Sequence, residues 1–196
     1  MSRVLPILFN TDMVRAILSG RKTVTRRVVK HDVDALLNSP FHKAYPEVED
    51  KQIIGKLCMP PYQSGDILYV RETWSEWTDG YLYKAWTSPF PQPGKSSVMK
   101  WHPSIHMPKE AARIWLKVKD VRVERLSDIT PQEAWKEGAR CSCMSPVPDC
   151  AGNKTTFIDI WNSTIKKSDL DRYGWDANPW VWVIEFERCE RPEALN

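Results

Sequence analysis

The chain has 196 residues, a formal net charge of +3, and hydrophobic and charged contents of 42% and 27%. That is the make-up of a soluble globular protein able to bury a core. No apolar run reaches the length of a membrane span, the N-terminal apolar segment is too short for a secretory signal, and five cysteines, an odd and unevenly spread number, argue against a disulfide scaffold. A cytoplasmic location is expected.

Leu5 to Phe9 reads as a short strand. Asn10 or Thr11 can cap the helix that follows, with Met13, Val14, Ile17 and Leu18 on its apolar face. Gly20 is a natural C-cap, because a helix end often needs a residue at positive φ. It opens the segment Gly20-Arg21-Lys22-Thr23-Val24-Thr25-Arg26-Arg27, which concentrates four cations and two threonines. Between Asp12 and Lys30 the bases are Arg15, Arg21, Lys22, Arg26, Arg27 and Lys30, against a single acid. Such a patch can hold phosphate. The plainer alternative is a basic turn that complements the carbonyl end of the helix. Alternation from Lys22 to Thr25 suggests an extended segment. Lys22 and Thr25 would then point to opposite faces unless a turn or bulge intervenes.

Residues 31 to 56 lack clean periodicity, contain Pro40 and Pro46, and read as an irregular connection with a little helix near Asp32 to Leu37; His31 and His42 are expected on the surface. Gln63 to Trp74 carries a turn and then a strand, with Ile67 and Tyr69 alternating against Leu68 and Val70. Arg71, Glu72 and Trp74 at its end form either a pocket wall or a salt bridge at a sheet edge. Asp79-Gly80 predicts a hairpin between Trp74/Trp77 and Tyr81 to Trp86. Ser88 to His106 reads as a long irregular loop, mobile without a ligand.

Ile114 to Leu126 is the strongest strand signal. The apolar parity switches after Asp120, so a bulge is expected there. Thr130, Pro131 and Glu133 combine an N-cap, a first-position proline and a capping box, opening a short helix that stops at Gly138. Glu137 falls at its carboxyl end, where the helix dipole disfavours an anion. Cys141, Cys143 and Cys150 could supply three zinc ligands, with Cys58, Cys189, a histidine or Asp149 as the fourth; free thiols or a redox pair are the alternatives. Asn153 to Ile165 reads as a helix with Phe157, Ile158, Trp161 and Ile165 on its stripe, and Trp180 to Glu187 as the closing strand, followed by a polar tail from Cys189. Most of the ten tryptophans are expected in the core. There is no internal repeat, no glycine-rich phosphate loop and no His-Glu-x-x-His motif.

The order of these pieces resembles the ASCH domain family, related in fold to PUA domains, and in particular its longer phage and prophage members. The carriers are Gly20 to Arg27, Gly65-Asp66-Ile67-Leu68-Tyr69-Val70-Arg71-Glu72-Thr73-Trp74, the strand through Val118 to Val123 with Asp128-Ile129-Thr130 after it, and Trp180 to Phe186. The resemblance spans 5 to 187. It implies one α+β domain over 1–196, a small mixed β-barrel with flanking short helices, with insertions near 31–60, 88–106 and 139–155. It also implies a cleft for RNA or a nucleoside. Small bacterial members deacetylate N4-acetylcytidine with a Lys, a Thr and a Glu, which fall here on Lys22, Thr25 and Glu137; another member is described as a ribonuclease.

Two readings follow. In the first, the chain binds RNA or a modified nucleoside, with Arg21, Lys22, Arg26 and Arg27 on phosphate and Tyr69, Arg71, Glu72 and Trp74 walling the pocket. In the second, it is an amidohydrolase in which Thr25 attacks, Lys22 accepts its proton and Glu137 protonates the leaving nitrogen. Neither reading requires a cofactor.

Overall fold

The two longest alternating stretches of the sequence become the middle of the sheet. In the computed structural model, the structure describes residues 2–45, 47–78, 80–86, 100–144 and 146–192. The elements are β1 (Val4–Leu8), α1 (Thr11–Leu18), β2 (Val24–Val28), α2 (Val33–Leu37), α3 (Pro40–Ala44), α4 (Asp50–Leu57), β3 (Ile67–Arg71), β4 (Trp74–Trp77), β5 (Gly80–Tyr83), β6 (Trp115–Arg125), α5 (Pro131–Lys136), α6 (Ala151–Thr164), α7 (Leu170–Tyr173) and β7 (Trp180–Cys189). Five strands form one mixed sheet in the order β1-β3-β6-β7-β2, with β1 parallel to β3 and the other pairings antiparallel. β4 and β5 form a separate hairpin pairing Trp74 with Tyr83. The expected turn residue Asp79 and the loop residues 88–99 lie outside the described residues.

β7 is buried on both faces because it separates two apolar layers. Trp180, Trp182, Ile184 and Phe186 join the cluster that holds Ile7, Phe9, Val14, Ile17 and Leu68. Val181 and Val183 face the opposite way, onto Val24, Leu126, Ala134, Phe157 and Trp161. The pairing of β6 with β7 shifts register between Val118 and Asp120, the expected bulge. Five tryptophans (Trp74, Trp115, Trp161, Trp180 and Trp182) are buried, whereas Trp77 and Trp86 are exposed.

Two sequence expectations change. The connection after β2 is helical rather than irregular: α2, α3 and α4 occupy it, and α4 buries Ile53 and Ile54, a pair whose short spacing leaves little periodic signal. His42 is half-buried and its Nε2 stands 3.0 Å from Asp50 Oδ1. Among the described residues, no strand pairing is recorded between the edges β1 and β2. Arg27 links the two edges, with Nη2 donating to the Leu8 carbonyl at 2.9 Å.

Candidate functional site

The end of α1 delivers Lys22. Gly20 adopts φ 70°, and the N–H groups of Gly20 and Arg21 return to the carbonyls of Ile17 and Ala16, a Schellman closure. The chain therefore turns sharply, and β2 begins only at Val24. Lys22 precedes the strand, so strand alternation does not separate it from Thr25. Its side chain is buried, and Nζ donates to the Val24 carbonyl at 2.8 Å, the Glu137 carbonyl at 2.9 Å and Glu137 Oε2 at 2.5 Å.

Glu137 arrives from the other side, as the C-cap of α5. The capping box at Thr130 and Glu133 is formed, with Pro131 in the first turn, so the start of this short helix is closely fixed. Its end depends on Gly138, at φ 88°. A Cβ there would stand 3.1 Å from Ala16 Cβ and 3.4 Å from Lys22 Cβ. Only glycine lets the end of α5 approach α1 and the lysine backbone this closely.

A cleft of about 690 Å³ opens over this pair, lined by Lys22, Thr25, Arg26, Arg27 and Glu137, with Phe157 and Trp161 of α6 as its apolar wall. That is a small-molecule volume. Thr25 is buried but borders the cleft, and among the described residues no group hydrogen-bonds its hydroxyl. Lys22 Nζ lies 5.7 Å from the Phe9 ring centroid and Arg27 Cζ 5.3 Å from it. Burial pulls the Lys22 ammonium below the ordinary lysine value of 10.5; Glu137 opposes that fall, and Arg27 and Arg26 add to it.

Arg26 points to the opposite side of β2 from Thr25 and Arg27. It is buried among three carboxylates, with Nη2 3.3 Å from both Glu124 Oε2 and Glu133 Oε2 and Nη1 3.2 Å from Glu137 Oε1. Arg26, expected from the sequence to contact phosphate, lines the cleft with its charge already matched inside the protein. Glu124, Glu133 and Phe9 are site-forming residues that sequence reasoning missed. The one available signal was the parity of β6, which places Glu124 two residues from Arg122, whose Nε it accepts at 2.7 Å. The bases left at the cleft border are Arg15, Arg21 and Lys30.

The chain matches no protein-family profile and no curated relative. It is similar to solved structures. One is an ASCH domain from Lactobacillus crispatus, 10% identical over 95% of this chain and 79% of that one, with a TM-score of 0.43. Another is a DUF984 protein from Enterococcus faecalis, 11% identical over 96% of this chain and 77% of that one, also with a TM-score of 0.43.

Tyr69, Arg71, Glu72 and Trp74 do not line the cleft. Arg71 Nε donates to the Met107 carbonyl at 2.8 Å, Tyr69 packs at 6.0 Å against Trp115, and Trp74 is buried beside Tyr81 and His102. Glu72 is held by Arg113 through bonds of 2.9 and 3.0 Å. Of the two sequence readings for this strand end, the ion pair describes Glu72, although its partner is Arg113 rather than Arg71. The cysteines do converge: the sulfurs of Cys141, Cys143 and Cys150 all lie within 4.8 Å of one another. The other suggested ligands stand elsewhere. Cys58 is in the main core, Cys189 packs beside Trp115, and Asp149 Oδ1 accepts from Gln132 at 2.5 Å.

Among the described residues, no helix is long and apolar enough to cross a membrane.

Proposed function

We propose that the chain hydrolyses an amide on a nucleobase, with N4-acetylcytidine, free or within RNA, as the substrate class. The observation that carries this reading is the convergence of Lys22, Thr25 and Glu137 on one cleft, with the Lys22–Glu137 contact at 2.5 Å. The substrate class follows from the family that the Gly20–Arg27 motif resembles.

The ion pair and its neutral form differ by one proton moved across that short contact. In the neutral form, the Lys22 amine takes the proton of the Thr25 hydroxyl as Thr25 Oγ1 bonds to the acetyl carbon. The bond from that carbon to N4 then breaks, and the Glu137 carboxyl gives its proton to the departing nitrogen. Cytidine leaves, Thr25 carries an acetyl ester, and Lys22 and Glu137 are left as ammonium and carboxylate. Water then cleaves the ester to acetate. The Arg27 guanidinium keeps its charge and can offset the charge that develops on the acetyl oxygen. Phe157 and Trp161 supply an apolar wall for the base.

The test is incubation with N4-acetylcytidine and chromatography for cytidine, with acid-quenched protein digested and weighed for an acetyl group on the Thr25 peptide. Cytidine release with that adduct is expected. Absence of turnover at high enzyme concentration overturns the reading for the nucleoside.

A second observation favours RNA over the free nucleoside. Arg21 and Lys30 border the cleft without a carboxylate cage such as that around Arg26, Arg15 beside them pairs with the exposed Asp12 at 3.2 Å, and a polynucleotide running past the cleft would meet them. RNA affinity should then fall with salt, and Arg21→Ala should lower the slope by about one phosphate contact. Salt-independent affinity would contradict the RNA form of the proposal.

A further inference from the structure

The segment between α5 and α6 has a feature that neither the cleft nor the core requires. Cys150 Sγ stands 3.1 Å from Cys141 Sγ and 3.8 Å from Cys143 Sγ. All three sulfurs fall within one 4.8 Å group, on a segment with little apolar burial of its own. Zinc–sulfur bonds of about 2.3 Å in tetrahedral array hold sulfurs about 3.8 Å apart. The Cys143–Cys150 separation already has that value, and the 3.1 Å between Cys141 and Cys150 reaches it by a sub-ångström movement.

The backbone around the sulfurs is arranged to keep them together. Asn153 is fully buried; its Oδ1 accepts from the Cys141 N–H at 3.0 Å, and its amide donates to the Val147 and Pro148 carbonyls at 2.8 and 3.0 Å. One side chain of α6 thus fixes both limbs of the loop. Gly152 is the second device. A Cβ at that position would stand 2.7 Å from Cys141 Cβ, 3.6 Å from Cys150 Sγ and 3.7 Å from Cys141 Sγ. Glycine in a helix is costly relative to alanine. Here its use is explained by the need to bring the first turn of α6 hard against the Cys141 side chain, whose sulfur and that of Cys150 lie in van der Waals contact with the same spot.

We propose that Cys141, Cys143 and Cys150 form a binding site for one thiophilic divalent ion of the zinc class, with a fourth, non-protein ligand such as water. Three soft thiolates select such an ion over magnesium or calcium. Binding takes up the ion, releases three thiol protons and leaves a set of net charge −1. No redox partner is needed. A disulfide between Cys141 and Cys150 would use two of the sulfurs and leave the third, 3.8 Å away, without a role. The ion acts as a clasp: it ties the loop to the start of α6, the helix that carries Phe157 and Trp161 into the cleft. The site is independent of the reaction in that cleft.

The test uses the full chain, reduced, stripped with a chelator and titrated with Co²⁺, followed by displacement with Zn²⁺. One equivalent of Co²⁺ is expected to give thiolate-to-metal charge-transfer absorption and an intense visible envelope, and Zn²⁺ should abolish both. Cys143→Ser removes an exposed ligand and spares the core; it should weaken binding by more than about tenfold. Gly152→Ala should weaken it as well, while Cys189→Ser should have no effect. If reduced wild-type protein gives no charge-transfer band, or Cys143→Ser binds as tightly as wild type, the proposal is overturned. Thiol counting that finds Cys141 and Cys150 disulfide-linked, in a protein that takes up no metal after reduction, overturns it equally.

Discussion

Glu137 and Glu72 are both buried carboxylates held by cations, and they serve different ends. Glu72 meets one guanidinium in a two-pronged contact, Arg113 Nε to Oε1 at 2.9 Å and Nη2 to Oε2 at 3.0 Å. That guanidinium is itself packed 4.1 Å from the Tyr83 ring centroid and 4.9 Å from that of Trp86. Glu137 meets an ammonium at 2.5 Å and a guanidinium at 3.2 Å, at the wall of a cleft and beside a threonine. Arginine does not release its proton in a protein, whereas a buried lysine can. The Glu72 pair can therefore only brace the β4–β5 region. The Glu137 pair can brace and also exchange a proton. Two sites of similar composition differ in the one property that chemistry needs.

The sharpest way to break this comparison is to make the two pairs alike. Lys22→Arg keeps the charge and removes the exchangeable proton, so turnover should fall by about 10²–10⁴, the usual worth of a positioned base. The pH dependence belongs to the same prediction. The reacting form needs the pair's one proton on Glu137 for the leaving nitrogen; Lys22, which holds that proton at rest, loses it at a lower pH in the folded chain than at the ordinary 10.5, so activity should fall as pH rises through a midpoint below 10.5. In that window the unfolded chain binds more protons, so this group's contribution to stability rises with pH and is smaller on the acid side. A rate profile with no falling limb below the ordinary lysine value would contradict the assignment.

Next in size come the truncations. Glu137→Ala leaves two buried cations facing less negative charge and should cost about 3–5 kcal/mol in denaturant unfolding. Glu72→Ala should cost toward the lower end of that range, because Arg113 retains some solvent contact and its aromatic packing. The two variants should part in function: the folded fraction of Glu72→Ala keeps turnover and that of Glu137→Ala loses it. Gly138→Ala should cost about 1–2 kcal/mol for its positive φ and also lower turnover, because it displaces Glu137 from Lys22. Thr130→Ala, which removes the α5 cap, should cost about 1 kcal/mol and lower turnover only slightly.

Much of this arrangement was legible in the chain. The α1 face, the β3 alternation, the bulge at Asp120 and the Thr130 capping box are local signals, set by neighbours in sequence, and each appears in the structure. Of the residues proposed for catalysis, Lys22 and Thr25 could be named from a motif and Glu137 from the end of the short helix after the central strand. The sequence could not show that β2 starts two residues after Lys22, which removes the objection that strand alternation would separate Lys22 from Thr25. Long-range pairing defeated the rest. Arg26 looks free in sequence because its carboxylates come from β6 and α5, about a hundred residues away, and Glu72 finds Arg113 rather than its neighbour Arg71. The helix α4 was missed because its buried face consists of two adjacent isoleucines, too few to set a period.

The central claim is that the lysine–glutamate pair, and not the arginine–glutamate pair, does chemistry. The most direct measurement is cytidine release from N4-acetylcytidine by wild type, Lys22→Arg and Glu72→Gln at equal folded concentration. The account predicts turnover by wild type, a loss of at least about a hundredfold in Lys22→Arg, and a rate within a few-fold of wild type in Glu72→Gln. Equal rates for wild type and Lys22→Arg would contradict it.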